Sequence, residues 1–173
     1  MGAITLSSDF GLVMGSALAI AVQCFFIGMI VGGGLRRKVF TKEYLEKHFG
    51  EEHKKATGQE IVKGGYPDTG NGLYAFKLSY KDWYDFNNRQ RAHYNALEHV
   101  ATMITIVVVA GISMPIAASV IGWIYFVGRI ISTIGYVAKG PQGRLFGVIL
   151  SQLCVLTGIV LAAISCCRVY QTA

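Results

Sequence analysis

Charge is scarce in this chain: 15% of its 173 residues are charged and 53% are hydrophobic. The shortage is concentrated in four long apolar stretches, about residues 10–35, 87–111, 115–137 and 145–167. About 20 apolar residues suffice to cross a bilayer. Four such spans leave little sequence for anything else, so we expect a single membrane domain and no room for a second core. Cysteine is also sparse. Cys24, Cys154, Cys166 and Cys167 all fall within apolar spans. None has metal-ligand spacing and the adjacent pair is not a Cys-x-x-Cys, so we expect packed thiols and no metal site. Lipidation near the end of the last helix is the alternative for that pair. The first stretch lacks basic residues ahead of it and is too long for a typical secretory signal, so we expect a retained helix.

What charge there is has a pattern. Of 16 lysines and arginines, 12 lie between Arg36 and Arg91. The connection between the second and third spans carries none, and that between the third and fourth carries Lys139 and Arg144. The positive-inside rule then places both odd-numbered connections on the cytoplasmic-type side and both termini opposite. Nucleic acid is not the expected partner, because Glu43, Glu46, Glu51 and Glu52 interrupt the basic run.

The first span holds the pairs Gly11/Gly15 and Gly28/Gly32, a spacing that lets membrane helices approach closely. Gln23, mid-span, needs an interhelical hydrogen-bond partner. Residues 36–86 form an extended polar connection. Thr41 is a plausible N-cap for a helix over Lys42–Lys55. Pro67-Asp68-Thr69-Gly70-Asn71-Gly72 signals a turn. The aromatic run from Tyr74 to Phe86 suggests a segment lying in the headgroup layer. Ser113 and Pro115 read as a capping hydroxyl and a first-turn proline.

The most telling string is Arg91-Ala92-His93-Tyr94-Asn95-Ala96-Leu97-Glu98. On a helix, Arg91, Asn95 and Glu98 share one face. In the third span Arg129, Thr133 and Tyr136 share another. Topology brings both faces, Arg144 and the Arg36-Arg37 pair to one end of the bundle. A charged group within a span is costly and usually faces a bundle interior or polar cavity. An Arg91–Glu98 or Arg129–Glu98 pair that only fixes packing is one reading. The excess of arginine over carboxylate favours an anionic ligand. Arginine forks bind carboxylates, Asn95 matches an amide, and Glu98 accepts an ammonium. A ligand with two carboxylates, an amine, two amides and a thiol uses every group, and glutathione is such a ligand. A further arginine near its sulfur lowers the thiol pKa and frees the thiolate nucleophile.

These residues, together with Phe86-Asn87-Asn88-Arg89-Gln90 before them and Val127-Gly128-Arg129 with Gly135-Tyr136, resemble a family. It is that of the membrane-associated proteins in eicosanoid and glutathione metabolism. Within it, the chain is most like the microsomal glutathione transferases of the third type. The likeness covers most of the chain except about residues 41–85. It implies an all-α, integral membrane four-helix bundle, assembled as a homotrimer with glutathione sites between subunits. It implies a glutathione transferase or peroxidase acting on lipophilic electrophiles or lipid hydroperoxides, in the endoplasmic reticulum or another organelle membrane. Carried over by position, Arg91, Asn95, Glu98, Arg129 and Tyr136 bind glutathione, Arg36 and His93 add secondary contacts, and Arg144 stabilises the thiolate. The chain departs from the family's pattern at Ser132, where a tyrosine is often found, and at Tyr94 and His99. Its 41–85 connection is also unusually long.

Two other readings remain at this point. The chain could be a non-catalytic, lipid-binding or accessory subunit of a larger membrane complex, which the long connection and Ser132 favour. A proton or ion pathway through Glu98 and His99 is weaker, because surplus arginine repels cations and no polar stripe crosses a whole span.

Overall fold

The computed structural model describes residues 6–172. Its elements are α1 (Phe10–Phe26), a π-helical stretch (Ile27–Gly32), α2 (Gly33–Val39), α3 (Lys42–Thr57), a 3₁₀ turn (Ala75–Lys77), α4 (Tyr80–Gly111), α5 (Pro115–Lys139), a second 3₁₀ turn (Gly140–Gln142) and α6 (Leu145–Thr172). No strand occurs among the described residues. Four helical runs are long and apolar enough to cross a membrane: Phe10–Val39, Tyr80–Gly111, Pro115–Gln142 and Leu145–Gln171. The chain is thus an all-α, four-span, multi-pass membrane protein. The helices overrun the expected spans, because polar residues at their ends extend them beyond the hydrophobic stretches.

Lipid tails are as apolar as leucine, so packing and interhelical hydrogen bonds hold such bundles together. Val13, Ile20, Met103, Val107, Ala118, Tyr125 and Cys154 form the buried seam. Gln23 finds the partner its position demanded: its Nε2 donates to the Phe126 carbonyl at 2.8 Å. Ser119 Oγ donates to the Leu12 carbonyl at 3.1 Å. The two glycine pairs of the first span behave differently. Gly11 and Gly15 have no neighbour near enough to exclude a side chain. A Cβ at Gly28 would lie 2.7 Å from His93 Nε2, and one at Gly32 would lie 3.3 Å from Gln90 Oε1. Only the second pair is a helix-packing surface, and it coincides with the π-helical stretch. Ser113 does not cap α5. Met114 holds the N-cap position without a side-chain bond, and Ser113 Oγ is buried with no partner. The proline at the start of α5 is as expected, since its missing N–H is one the first turn leaves unused.

The long connection overturns the expectation that no second core fits. Phe40, Leu45, Phe49, Ile61, Ala75 and Phe86 form a separate buried cluster, with Tyr44, Tyr74, Leu78 and Trp83 packed against it. Of the aromatic run expected in the headgroup layer, Phe86 is core and Tyr74 and Trp83 pack against it, while Phe76, Tyr80 and Tyr84 stay exposed. Each ring buried from water contributes about 1.5–3 kcal/mol, a driving force absent between helices in lipid. Local chemistry then fixes the loops. Thr41 Oγ1 accepts from the Tyr44 amide at 3.2 Å, capping α3 as its sequence signalled. Gly58, with φ 73°, ends that helix in the left-handed conformation glycine tolerates best. The buried Asp68 carboxylate gathers the amides of Gly70, Gly72 and Ala75 at 2.6, 3.0 and 2.8 Å. Asn87 Nδ2 donates to the Gly70 carbonyl at 3.0 Å, tying this turn to α4.

Candidate functional site

The residues of the polar faces read from the sequence lie on α4, α5 and the start of α6. Tyr84 of α4 lies against Gly140, so the 36–86 connection and the α5–α6 turn share one end of the bundle. The eight candidate residues fall into three groups.

Arg129, Asn95, Tyr136 and Arg144 form the first. Arg129 is 4% exposed although it carries a full charge, and its Nε has no hydrogen-bond partner. Asn95 Nδ2 is buried and unpartnered as well. Buried polar groups are almost always paired, so each such atom requires an explanation. Tyr136 is buried, and the Arg144 guanidinium stands 5.0 Å from its ring centroid, a cation–π contact that fixes Arg144 over α5.

Arg91 and Glu98 form the second group. Both are exposed on the surface of the single chain, on the outer face of α4. Among the described residues neither makes an ion pair, and neither do Arg129 and Arg144; the ion pairs present are Lys42–Glu46 and Lys54–Glu60 in the connection. The packing pairs Arg91–Glu98 and Arg129–Glu98 are therefore not formed.

His93 and Arg36 form the third, and their side chains are spoken for. His93 packs against Gly28 of the π-helical stretch. Arg36 is 5% exposed, and its Nη1 donates to the carbonyls of Gly64 and Gly65 at 2.9 and 3.3 Å. Its guanidinium also lies 4.4, 5.3 and 5.9 Å from the ring centroids of Tyr66, Phe86 and Phe40. This arginine clamps the connection onto the bundle.

Two cavities define the surroundings. One of about 10 Å³ is walled by Ile20, Gln23, Cys24, Ala96, Val100, Tyr125 and Arg129. It has room for at most about one water. The other is an apolar groove of about 480 Å³ between α1 and α5, whose walls include Phe26, Ile30, Trp123 and Phe126. Gln23 lines both, so the groove stands back to back with the Arg129 cavity. Sequence reasoning passed over Tyr125, which is 2% exposed and lies beside Arg129. Its place one turn ahead of Arg129, on the same helix face, was the available signal.

Arg129 Nε and Asn95 Nδ2 thus stand buried without partners, Arg91 and Glu98 stand exposed, and an apolar groove lies between α1 and α5. No curated protein matches the chain. Residues 12–164 match the MAPEG family model, and the chain therefore belongs to the MAPEG family, the membrane-associated proteins in eicosanoid and glutathione metabolism.

Proposed function

We propose that the protein is a membrane glutathione transferase or peroxidase that acts on lipophilic electrophiles or lipid hydroperoxides. The observation that carries this reading is the buried Arg129, whose Nε has no partner, together with the Asn95 Nδ2 on α4, which is likewise buried and unpartnered. An uncompensated charge in a span is expensive, and an anionic ligand relieves the expense. Arg91, Asn95, Glu98, Arg129 and Tyr136 bind glutathione in this reading. Arg36 and His93 act at one remove, by holding α2 and the π-helical stretch beside α4. Because Arg91 and Glu98 face outward from one chain, the site is completed by a neighbouring copy in a homotrimer. Arg144 stabilises the glutathione thiolate. The thiol proton leaves to solvent, and the sulfur anion attacks the electrophile and displaces its leaving group. With a hydroperoxide, two glutathiones give the disulfide, an alcohol and water. The apolar groove between α1 and α5 suits the lipophilic partner. The setting is the endoplasmic reticulum or another organelle membrane.

The test is ultraviolet thiolate absorbance on detergent-purified protein, beside glutathione binding by calorimetry. Wild type forms the thiolate, Arg91→Ala loses it through binding, and Arg144→Ala loses it while still binding. A wild type that binds no glutathione sinks the reading.

A second reading is a non-catalytic, lipid-binding or accessory subunit of a larger membrane complex. It is favoured by the folded connection, which exposes Val62, Leu73 and Phe76. Purification in mild detergent separates the two: co-migration with a large assembly supports the accessory role, and a lone oligomer counts against it.

A further inference from the structure

The turn that delivers Arg144 is braced from outside the hydrophobic spans. Gly140 opens it with φ 67°, and a Cβ there would lie 2.6 Å from Tyr84 Oη and 3.4 Å from Asn88 Nδ2. Tyr84 and Asn88 are one turn apart on α4, so one helix face presses on the turn. The Gly143 amide donates to the Gly140 carbonyl at 3.0 Å and closes it. Gly143 then lies backbone to backbone against Gly135 of α5, with no space for a side chain at either. Arg144 is the next residue, and Tyr136, next to Gly135, is the ring beneath its guanidinium. Three residues separate Gly140 from Arg144, and both ends of that stretch are pinned. Little slack remains between the position of Tyr84 and the reach of Arg144.

The same turns of α4 are held on another side by the connection. Phe86 is fully buried in the second core, and Asn87 holds the Gly70 carbonyl. Tyr84 is thus the point at which the folded connection touches the α5–α6 turn.

Resting on the reading of Arg144 as the group that stabilises the glutathione thiolate, we propose that Tyr84 is a positioning residue for it. The Tyr84 hydroxyl, at the tip of its ring, fixes the Gly140–Gly143 turn, and through it the connection sets how far the Arg144 guanidinium extends toward the sulfur. Tyr84 touches no substrate in this scheme. Its effect is geometric, and a misplacement of about 1 Å in such a group can cost up to about 100-fold in rate.

The experiment compares wild type with Tyr84→Ala, Tyr84→Leu, Tyr84→Phe and the control Tyr80→Ala. Tyr80 stacks on Tyr84 at 6.0 Å but is itself 76% exposed. The readouts are glutathione affinity, thiolate absorbance, kcat and KM for glutathione, and the pH dependence of the rate. Tyr84→Ala and Tyr84→Leu keep wild-type affinity and KM, while thiolate and kcat fall by up to about 100-fold and the rate profile moves to higher pH. Tyr84→Phe, which keeps the ring but loses the hydroxyl that meets Gly140, falls between wild type and Tyr84→Leu, and Tyr80→Ala behaves as wild type. If Tyr84→Ala does not fold, Tyr84→Leu decides. A wild-type thiolate that is undiminished in Tyr84→Leu overturns this inference alone. A wild type with no thiolate overturns both it and the reading beneath it.

Discussion

Arg36 and Arg129 are buried to nearly the same degree, 5% and 4% exposed, in two regions that treat them in opposite ways. In the connection, Arg36 is shared between two backbone carbonyls and three aromatic rings. In the bundle, Arg129 keeps a nitrogen without a partner and has no carboxylate within ion-pair distance among the described residues. A buried charge is tolerated when its polar atoms find partners, and Arg36 finds carbonyls and ring faces within its own chain, though no carboxylate among the described residues pairs with it. Arg129 finds no partner for its Nε. The difference separates an arginine used to build the protein from one left open for something the chain itself does not supply.

Substitution can break this contrast from either side. The largest effect is expected at Arg129. Arg129→Leu removes the charge and weakens glutathione binding by about 2–5 kcal/mol, the usual loss when one member of a buried charged pair is deleted. Its thermal stability does not fall, because the free protein loses an unsatisfied charge rather than a contact. Calorimetry and a detergent melt check the two halves, and a stability loss without a binding loss would assign Arg129 to packing. The next largest is Arg36→Ala, at about 3 kcal/mol, for the lost charge-assisted bonds and the carbonyls left behind. That loss falls on the connection, which becomes open to limited proteolysis between residues 58 and 79, while the spans stay intact. Equal protection in wild type and variant would show that Arg36 does not hold the connection.

The two regions were unequally legible in the sequence. The spans follow from length and apolarity, and the need of Gln23 for a partner follows from its place among apolar neighbours. Thr41 announced α3 because a cap is a local device. The second core was hidden. Aromatic density next to a span has the same appearance whether the rings meet lipid headgroups or one another. Phe40 and Phe86 meet only after the 45 residues between them fold back, with ring centroids 5.2 Å apart. The role of Arg36 was hidden for the same reason, since its acceptors lie 28 and 29 residues away. In the candidate site, helical spacing gave the buried row of Arg129, Thr133 and Tyr136 on α5. It could not show that His93 turns toward Gly28 while Arg91 and Glu98 turn outward.

The smallest expected effect sharpens the contrast within the connection itself. Tyr44 Oη donates to the Tyr74 carbonyl at 2.7 Å, bridging α3 to the far side of the second core. Burial first, and then the negative charge of Asp68, push its pKa from 10 up to about 12. A phenol whose folded pKa exceeds its unfolded one holds its proton longer when folded, so between those values the folded state binds more protons. The stability it contributes is therefore complete below pH 10 and lost as pH rises through about 12. Tyr44 is only partly buried, so screening by solvent keeps this loss well under that of Arg36→Ala. Trp83 packs on the second core and reports its melting, once Trp123→Phe removes the other indole. In that background the melting temperature of the connection falls above pH 10, and Tyr44→Phe removes the part of the fall that belongs to this hydroxyl. Identical pH profiles with and without the Tyr44 hydroxyl would mean that the bridge to Tyr74 contributes nothing, and that the rings and Arg36 hold the second core without it.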